Sequence, residues 1–109
     1  MPLSQDAMKE ICRRKVTVQD PLGFHMRPIA VFAQRAGQYQ STINVQKADL
    51  RVNGKSILEL LLLAAEQGTE LVLEADGADA PAALEALAEL IELSKDGDEQ
   101  EDSSLPRKG

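Results

Sequence analysis

Residues 41–53, with the sequence STINVQKADLRVN, decide the predicted fold. Apolar and polar side chains alternate in this stretch on both sides of residues 47–48. A period of two is typical of a strand with one buried face, so we predict strands over residues 41–46 and 49–53. Two strands joined by so short a connection form an antiparallel hairpin, although Lys-Ala is not a preferred turn sequence.

The patterns outside this hairpin predict two more strands and three helices. Alternation predicts the strands, and apolar side chains at helical spacing predict the helices. The strands span residues 15–19 and 70–76, and the helices span residues 26–36, 56–66 and about 80–94. Asp79 is the predicted N-cap of the last helix. The order β-α-β-β-α-β-α predicts an α+β fold with helices on one face of an antiparallel sheet.

The 109 residues suit one small domain, and the predicted elements occupy residues 14–94. Residues 1–13 are polar and mixed, and we predict that they are an N-terminal extension. Residues 95–109 are acidic and contain few apolar side chains. We predict that this tail is disordered, because it cannot bury enough apolar surface to offset the entropy lost on ordering.

Charge is distributed unevenly along the chain, which has a net charge of −6. Residues 1–58 contain nine Lys/Arg and four Asp/Glu, whereas residues 59–109 contain three and fourteen. The basic first part favours a phosphate or an acidic partner surface. The alternative is that these charged side chains only lie on faces exposed to solvent and bind no partner. The overall negative charge and the presence of only three aromatic residues disfavour nucleic acid as a partner.

The residue inventory also excludes several kinds of site. A single cysteine, Cys12, precludes an internal disulfide, and one cysteine with one histidine makes no convincing metal cluster. We therefore expect neither a metal nor a cofactor. The longest apolar run, residues 60–65, is too short to span a membrane, so we expect a cytoplasmic protein without membrane insertion.

The segment GFHMRP at residues 23–28 is the candidate for chemistry. His25 is placed at or next to the N-cap of a predicted helix, where unpaired N–H groups and the helix dipole favour a phosphoryl group. The dipole disfavours a cationic imidazolium, and a neutral ring nitrogen is the form that attacks phosphorus. Arg27 and the backbone amides of Met26 and Arg27 are candidates to bind the phosphate oxygens. The alternative is a surface histidine that happens to lie at a helix start.

Residues 23–30, GFHMRPIA, resemble the active-site signature of the HPr family, the histidine-containing phosphocarriers of the bacterial sugar phosphotransferase system. That signature usually has the form G-L-H-x-R-P-A. A second block, VNGKSIL at residues 52–58, resembles the segment that holds the family's regulatory serine. Gly68-Thr69 before a strand and Gly77 before a helix extend the resemblance, which covers residues 14–94.

The resemblance implies an open-faced β-sandwich of four antiparallel strands and three helices. It implies that enzyme I phosphorylates His25 on Nδ1, with phosphoenolpyruvate as the ultimate donor, and that His25 passes the phosphoryl group to an enzyme IIA sugar-permease domain. Arg27 would support the transfer. Such a carrier is a phosphorylated intermediate and does not turn over alone.

Ser56 matches the serine that an HPr kinase/phosphorylase modifies in many bacteria to regulate carbon metabolism. It lies at a predicted helix N-cap, where a phosphate would meet the favourable end of the dipole. The alternative is that Ser56 is only an N-cap, as serine is in many helices.

The helix that follows Ser56 is unusually apolar, so some of its side chains must be exposed. Leu60 and Leu63 match core positions of the family. The residues that match the family's docking surface for partners are Phe24, Ile57, Leu58 and Leu61. The alternative is that a dimer contact or the C-terminal tail covers them.

Three residues depart from the family signature. Phe24 replaces the usual Leu, Met26 replaces a small residue, and Ile29 replaces the usual Ala. The first and last are larger but still apolar, so the loop should persist. Met26 adds bulk beside His25, which changes the set of partners that fit.

The sequence alone leaves three functions open. The first is a phosphocarrier that serves sugar uptake. The second is a regulatory HPr-like signalling module without a sugar-transport role. The third is a small structural or ligand-binding α+β domain without phosphoryl chemistry, which requires the two motif blocks to coincide by chance.

Overall fold

The computed structural model describes residues 11–93 and contains four strands and three helices. Residues 1–10 of the predicted extension and the whole predicted tail, residues 95–109, lie outside the described residues. The strands are β1 (Ile11–Thr17), β2 (Thr42–Lys47), β3 (Leu50–Asn53) and β4 (Glu70–Asp76), and the helices are α1 (Met26–Ala36), α2 (Ile57–Leu61) and α3 (Ala80–Glu92). This is the predicted order, β-α-β-β-α-β-α.

The strands form one antiparallel sheet in the order β1-β4-β2-β3. The hairpin of β2 and β3 is present, displaced by one residue from its predicted start. Its connection passes through Ala48, which has a φ of 52°. Because β4 lies between β1 and β2, the last strand in the chain is central and is hydrogen-bonded on both edges. The four-stranded antiparallel sheet predicted from the sequence is confirmed.

The core lies between the sheet and the helices. From the sheet it takes every second side chain, and from α1 and α3 it takes the face at helical spacing. On α1 this face consists of Ile29, Phe32, Ala33 and Ala36. The fully buried sheet residues include Val16, Ile43, Val45, Leu71, Leu73 and Ala75. On the opposite sheet face, Glu74 forms ion pairs with Arg13 and Arg51.

Strand β1 begins at Ile11, four residues before its predicted start, and ends at Thr17 rather than residue 19. Residues 11–13 therefore belong to the sheet and not to an N-terminal extension. Their pairing with residues 74–76 of β4 explains the difference, since the ladder runs the whole length of that strand. Arg13 donates to Glu74 at 2.8 Å across it. Arg14 lies on the same side of the strand as Cys12 and Val16 but is exposed, so the first half of β1 shows no apolar alternation in the sequence.

Helix α2 is shorter than predicted, since it ends at Leu61 rather than near residue 66. The chain turns at Ala64, which has a φ of 47°, and this directs Leu63 and Ala65 into the core. Lys47 on β2 holds the turn, because its Nζ donates to the carbonyl oxygen of Leu63 at 2.9 Å. Apolar composition alone predicted a longer helix because buried loop residues and helix residues are equally apolar here.

Helix α3 begins after Asp79 as predicted, but the Asp79 side chain makes no capping hydrogen bond. Its carboxylate instead accepts hydrogen bonds from the backbone N–H of Gln40 at 2.8 Å, the backbone N–H of Ser41 at 3.0 Å and the Ser41 hydroxyl. The predicted capping role is therefore wrong. Asp79 joins the start of α3 to the segment between α1 and β2, which sequence spacing cannot reveal.

Candidate functional site

His25 is the N-cap residue of α1. Its backbone is extended, with φ −103° and ψ −172°, and its carbonyl oxygen accepts the hydrogen bond of Ile29 N at 2.9 Å. The His25 side chain is 29% exposed and makes no side-chain capping bond. A ring at this position is open to a partner and lies beside N–H groups that have no acceptor within the helix.

The loop before His25 is built on Asp20 and Gly23. The carbonyl oxygen of Asp20 accepts from Gly23 N at 2.8 Å, and Asp20 Oδ1 accepts from Leu22 N at 2.9 Å. Asp side chains commonly stabilise turns in this way. Gly23 has a φ of 82°, and its carbonyl oxygen accepts from His25 N at 3.0 Å. The turn therefore delivers the chain to the start of α1 in a fixed direction.

Asp20 also contacts the imidazole of His25. Its Oδ2 lies 3.3 Å from Nε2 of the ring, and the Asp20 residue is only 1% exposed. A buried carboxylate requires partners, and the loop amide and the ring are two of them. The site residues predicted from the sequence do not include Asp20. An acidic residue in a tight turn five positions before a candidate histidine was the available signal.

Met26 and Arg27 are the first two residues of α1, and both are exposed. Pro28 follows in the first turn, where its missing N–H removes no helix bond. The structure thus brings His25, Met26 and Arg27 together at one helix start. No arrangement of three or more His, Cys, Asp or Glu side chains suited to a metal ion occurs within residues 11–93.

Phe24 is part of the core and not of the exposed surface. Its residue is 6% exposed, and its ring packs edge-on against Phe32 with the ring centroids 5.6 Å apart. The backbone N–H of Phe24 donates to the carbonyl oxygen of Ala65 at 2.8 Å. The aromatic ring beside the site therefore anchors the loop to the core, and partner contact by Phe24 stays a prediction that its burial does not favour.

Ser56 is the N-cap of α2. Its hydroxyl oxygen accepts from the backbone N–H of Glu59 at 3.2 Å. The Glu59 side chain reaches back to accept from the backbone N–H of Asn53 at 2.9 Å. The two bonds resemble a capping box and fix the entry into this short helix. The N-cap position predicted for Ser56 is confirmed.

Helix α2 divides its apolar side chains between the core and the surface. Leu60 and, just beyond the helix, Leu63 are buried as predicted. Four apolar side chains remain exposed: Ile57 at 38%, Leu58 at 77%, Leu61 at 38% and Leu62 at 64%. We call these four residues the α2 patch. The sequence prediction named three of them and missed Leu62, which helical spacing alone does not distinguish from its neighbours.

An open groove lies between α1 and α2, next to the α2 patch. It brings residues near the middle of α1 close to the segment that begins α2. The lining residues are Ala30, Ala33, Gln34, Lys55, Ser56, Ile57 and Leu58. Ser56 and the helix that His25 begins therefore share one surface.

Comparisons with known proteins assign this site to a family. Residues 12–93 match the family model described as "PTS HPr component phosphorylation site". The phosphocarrier protein HPr of Neisseria meningitidis serogroup A is 46% identical over 79 residues, which cover 72% of this chain and 89% of that protein. The HPr-like protein Crh of Bacillus subtilis is 40% identical over 80 residues, which cover 73% of this chain and 94% of the relative.

The fold has the same relatives. The crystal structure of a phosphocarrier protein HPr from Bacillus anthracis superposes with a TM-score of 0.72 at 34% sequence identity. The match covers 74% of this chain and 96% of that one. The sequence, the order of the elements and the three-dimensional fold therefore all match those of HPr proteins.

Proposed function

The chain belongs to the HPr family of the phosphotransferase system, and on that premise we propose that it carries a phosphoryl group on His25. Enzyme I, itself phosphorylated from phosphoenolpyruvate, is the proposed donor, and an enzyme IIA sugar-permease domain is the proposed acceptor. Because phosphoenolpyruvate is a cytoplasmic metabolite, the proposed transfer takes place in the cytoplasm. The protein is then a substrate of its partners and completes no catalytic cycle alone.

The position of His25 is the observation that carries this proposal. The ring is partly exposed and belongs to the residue that begins α1. A phosphoryl group bound there would meet the amides of the first turn and the positive end of the helix dipole. Arg27, exposed in the same turn, is the proposed second support, because a guanidinium pairs well with phosphate oxygens. The backbone amides of Met26 and Arg27 are the proposed phosphate-binding groups.

We propose that partners dock on the α2 patch. Grouped exposed apolar side chains are typical of interaction surfaces. This group belongs to α2 and its C-cap residue, and two of its members, Ile57 and Leu58, line the groove beside α1. Ile57, Leu58 and Leu61 are the proposed contacts, and Leu62 joins them by its exposure. We do not include Phe24 among the proposed contacts, because it is buried.

Ser56 is the proposed regulatory phosphosite, and an HPr kinase/phosphorylase is the proposed modifying enzyme. The hydroxyl caps α2 and lines the groove, so a phosphate on it would place two negative charges beside the proposed docking surface. That charge would disturb partner binding more than the fold, because an anion at a helix start is electrostatically favoured.

A second candidate function is a regulatory module without a role in sugar transport. The similarity to the HPr-like protein Crh supports it, since that relative belongs to the same family under a different name. On this alternative, labelling of His25 or Ser56 would alter binding to a regulator, and no enzyme IIA domain would accept the phosphoryl group.

Incubation with enzyme I, phosphoenolpyruvate and Mg²⁺ tests the main proposal. We expect one phosphoryl group per chain by mass spectrometry at neutral pH, because phosphohistidine is labile in acid. His25→Ala should abolish the labelling, whereas the matched variant Ser56→Ala should retain it. Equal labelling of wild-type and His25→Ala protein would refute the assignment. Adding an enzyme IIA domain to the labelled protein then separates the carrier from the regulatory module.

A further inference from the structure

The contact between Asp20 and His25 points to a role for a residue outside the family signature. Asp20 is 1% exposed and fixed on one side, because its Oδ1 accepts from Leu22 N at 2.9 Å and its carbonyl oxygen accepts from Gly23 N at 2.8 Å. Its other carboxylate oxygen, Oδ2, lies 3.3 Å from His25 Nε2. A carboxylate held this firmly constrains the ring that it contacts.

The contact favours one of the two ring nitrogens as the site of the proton. An ionised carboxylate only accepts hydrogen bonds, so an ionised Asp20 favours the tautomer in which Nε2 carries the proton. In the neutral ring, the lone pair is then on Nδ1. In serine–histidine–aspartate triads, a carboxylate on one ring nitrogen likewise fixes the tautomer and leaves the other nitrogen to react.

This arrangement suits phosphoryl transfer to His25, the proposed function on which this inference rests. The lone pair of Nδ1 forms the new N–P bond while the bond between phosphorus and the donor atom breaks, and the electron pair of that bond returns to the donor. Nε2 keeps its proton throughout, so the phosphorylated imidazole ring becomes cationic. Its positive charge then faces the buried carboxylate of Asp20, which stabilises it. Transfer to an acceptor reverses the same steps without moving a proton.

We propose that Asp20 is a positioning residue that holds the His25 ring through Nε2 and so makes Nδ1 the nitrogen that takes the phosphoryl group. The competing explanation is that Asp20 only stabilises the turn through Leu22. The two explanations differ in one respect: a purely structural role requires an acceptor for Leu22 N, whereas the positioning role also requires an acceptor at Nε2.

Asp20→Ser separates the two roles. A serine hydroxyl at residue 20 can still accept from Leu22 N, as in turns that serine stabilises, but it is too short to reach the His25 ring. Asp79→Ser is the matched control, because Asp79 also joins two segments through backbone N–H groups. The contacts of Asp79 lie beyond the C-terminal end of α1, whereas His25 precedes its N-terminal end. The helix between them is about 16 Å long.

The first measurement needs no partner protein. Nitrogen NMR of histidine-labelled protein at a pH where the ring is neutral reports which nitrogen is protonated. We expect the Nε2–H tautomer almost alone in the wild-type protein and in Asp79→Ser, and a mixture of tautomers in Asp20→Ser. An unchanged tautomer ratio in folded Asp20→Ser would overturn the proposal.

The second measurement uses enzyme I and phosphoenolpyruvate. We expect Asp20→Ser to be labelled about tenfold more slowly than the wild type, with some phosphate on Nε2, and Asp79→Ser to be labelled at the wild-type rate on Nδ1. An initial rate within about twofold of wild type, with phosphate on Nδ1 alone, would overturn the positioning role. If neither the wild type nor any variant is labelled but the tautomer ratio changes as expected, the proposed carrier function fails. The role of Asp20 in setting the tautomer of the His25 ring would then still hold.

Discussion

The backbone of Gly23 lies directly against the carbonyl group of Ala65. A Cβ atom on residue 23 would lie 2.7 Å from the Ala65 carbonyl oxygen and 3.2 Å from Cα of Glu66. The adjacent N–H of Phe24 donates to the same carbonyl oxygen at 2.8 Å. The loop that presents His25 is therefore fixed to the segment that follows α2, and the two candidate regions of the chain form one unit.

Gly23→Ala should reduce both stability and phosphorylation. The φ of 82° is unfavourable for alanine, and the new methyl group would collide with backbone atoms that cannot move aside independently. We expect a loss of about 2–4 kcal/mol in the free energy of unfolding, measured by urea denaturation. Since the displaced loop carries His25, the rate of labelling by enzyme I should also fall.

Gly68→Ala is the control for this change. Gly68 has a similar φ of 90°, but no atom lies within 4 Å of its missing Cβ. The substitution should cost about 1–2 kcal/mol from backbone conformation alone and leave the labelling rate unchanged. If both glycine variants slowed labelling equally, the close approach to Ala65 would not be what positions His25.

Stability should depend on pH through Asp79. The hydrogen bond from the Ser41 hydroxyl, followed by that from the Gln40 backbone, lowers the pKa of Asp79 below its usual value of 3.8. A carboxyl group whose pKa is lower in the folded state adds stability above the unfolded value. That contribution disappears as the pH falls through the lowered folded value, because both states are then protonated.

Urea denaturation of the wild-type protein and Asp79→Asn at neutral pH and at pH values below 3.8 measures this effect. We expect Asp79→Asn to be less stable at neutral pH and the difference between the two proteins to shrink on acidification. A difference that stayed constant over this range would show that the Asp79 charge contributes nothing to stability.

Two elements have the bounds predicted from the sequence. Helix α1 begins at Met26 and ends at Ala36, and β4 spans Glu70–Asp76. Both have an unambiguous apolar period and adjacent glycine or proline residues that define their limits. The ends of β1 and α2 were misplaced because pairing with β4 and the turn at Ala64 depend on parts of the chain that are distant in sequence.

The sequence predicted only those site residues that local features mark. His25, Met26, Arg27 and Ser56 are marked by local sequence, since a helix start is a local feature. The burial of Phe24 depends on its packing against Phe32 from the next helical turns. The contact of Asp20 with the His25 ring depends on the shape of a turn, which residue types alone do not specify.

Leu58 and Leu60 should respond to truncation in opposite ways. Leu60 is fully buried, so Leu60→Ala should cost about 2–5 kcal/mol of stability. Leu58 is 77% exposed, so Leu58→Ala should change stability by no more than about 0.5 kcal/mol. If the α2 patch is the docking surface, Leu58→Ala should weaken binding to enzyme I by about fivefold or more, measured by calorimetry. Unchanged affinity would place the docking surface elsewhere.

Substitutions at Ser56 should separate its capping role from its proposed regulatory role. Ser56→Ala removes the acceptor for Glu59 N and should cost about 1 kcal/mol of stability. Ser56→Asp keeps a capping oxygen and adds negative charge at the helix start, so its stability should remain close to wild type. These two free energies follow from urea denaturation.

The order of the two variants should be reversed for the rate of phosphoryl transfer: Ser56→Ala should be labelled faster than Ser56→Asp. Because Ser56 lines the groove that α1 also lines, the charge of Ser56→Asp lies on the proposed docking surface and should slow labelling of His25 by enzyme I. Ser56→Ala adds no charge and should be labelled at nearly the wild-type rate despite its lower stability. The rate of Ser56→Asp should recover partly at high salt, because added ions screen an exposed charge. If Ser56→Asp were labelled as fast as wild type at low salt, charge at this position would not control docking, and Ser56 would be left with its capping role.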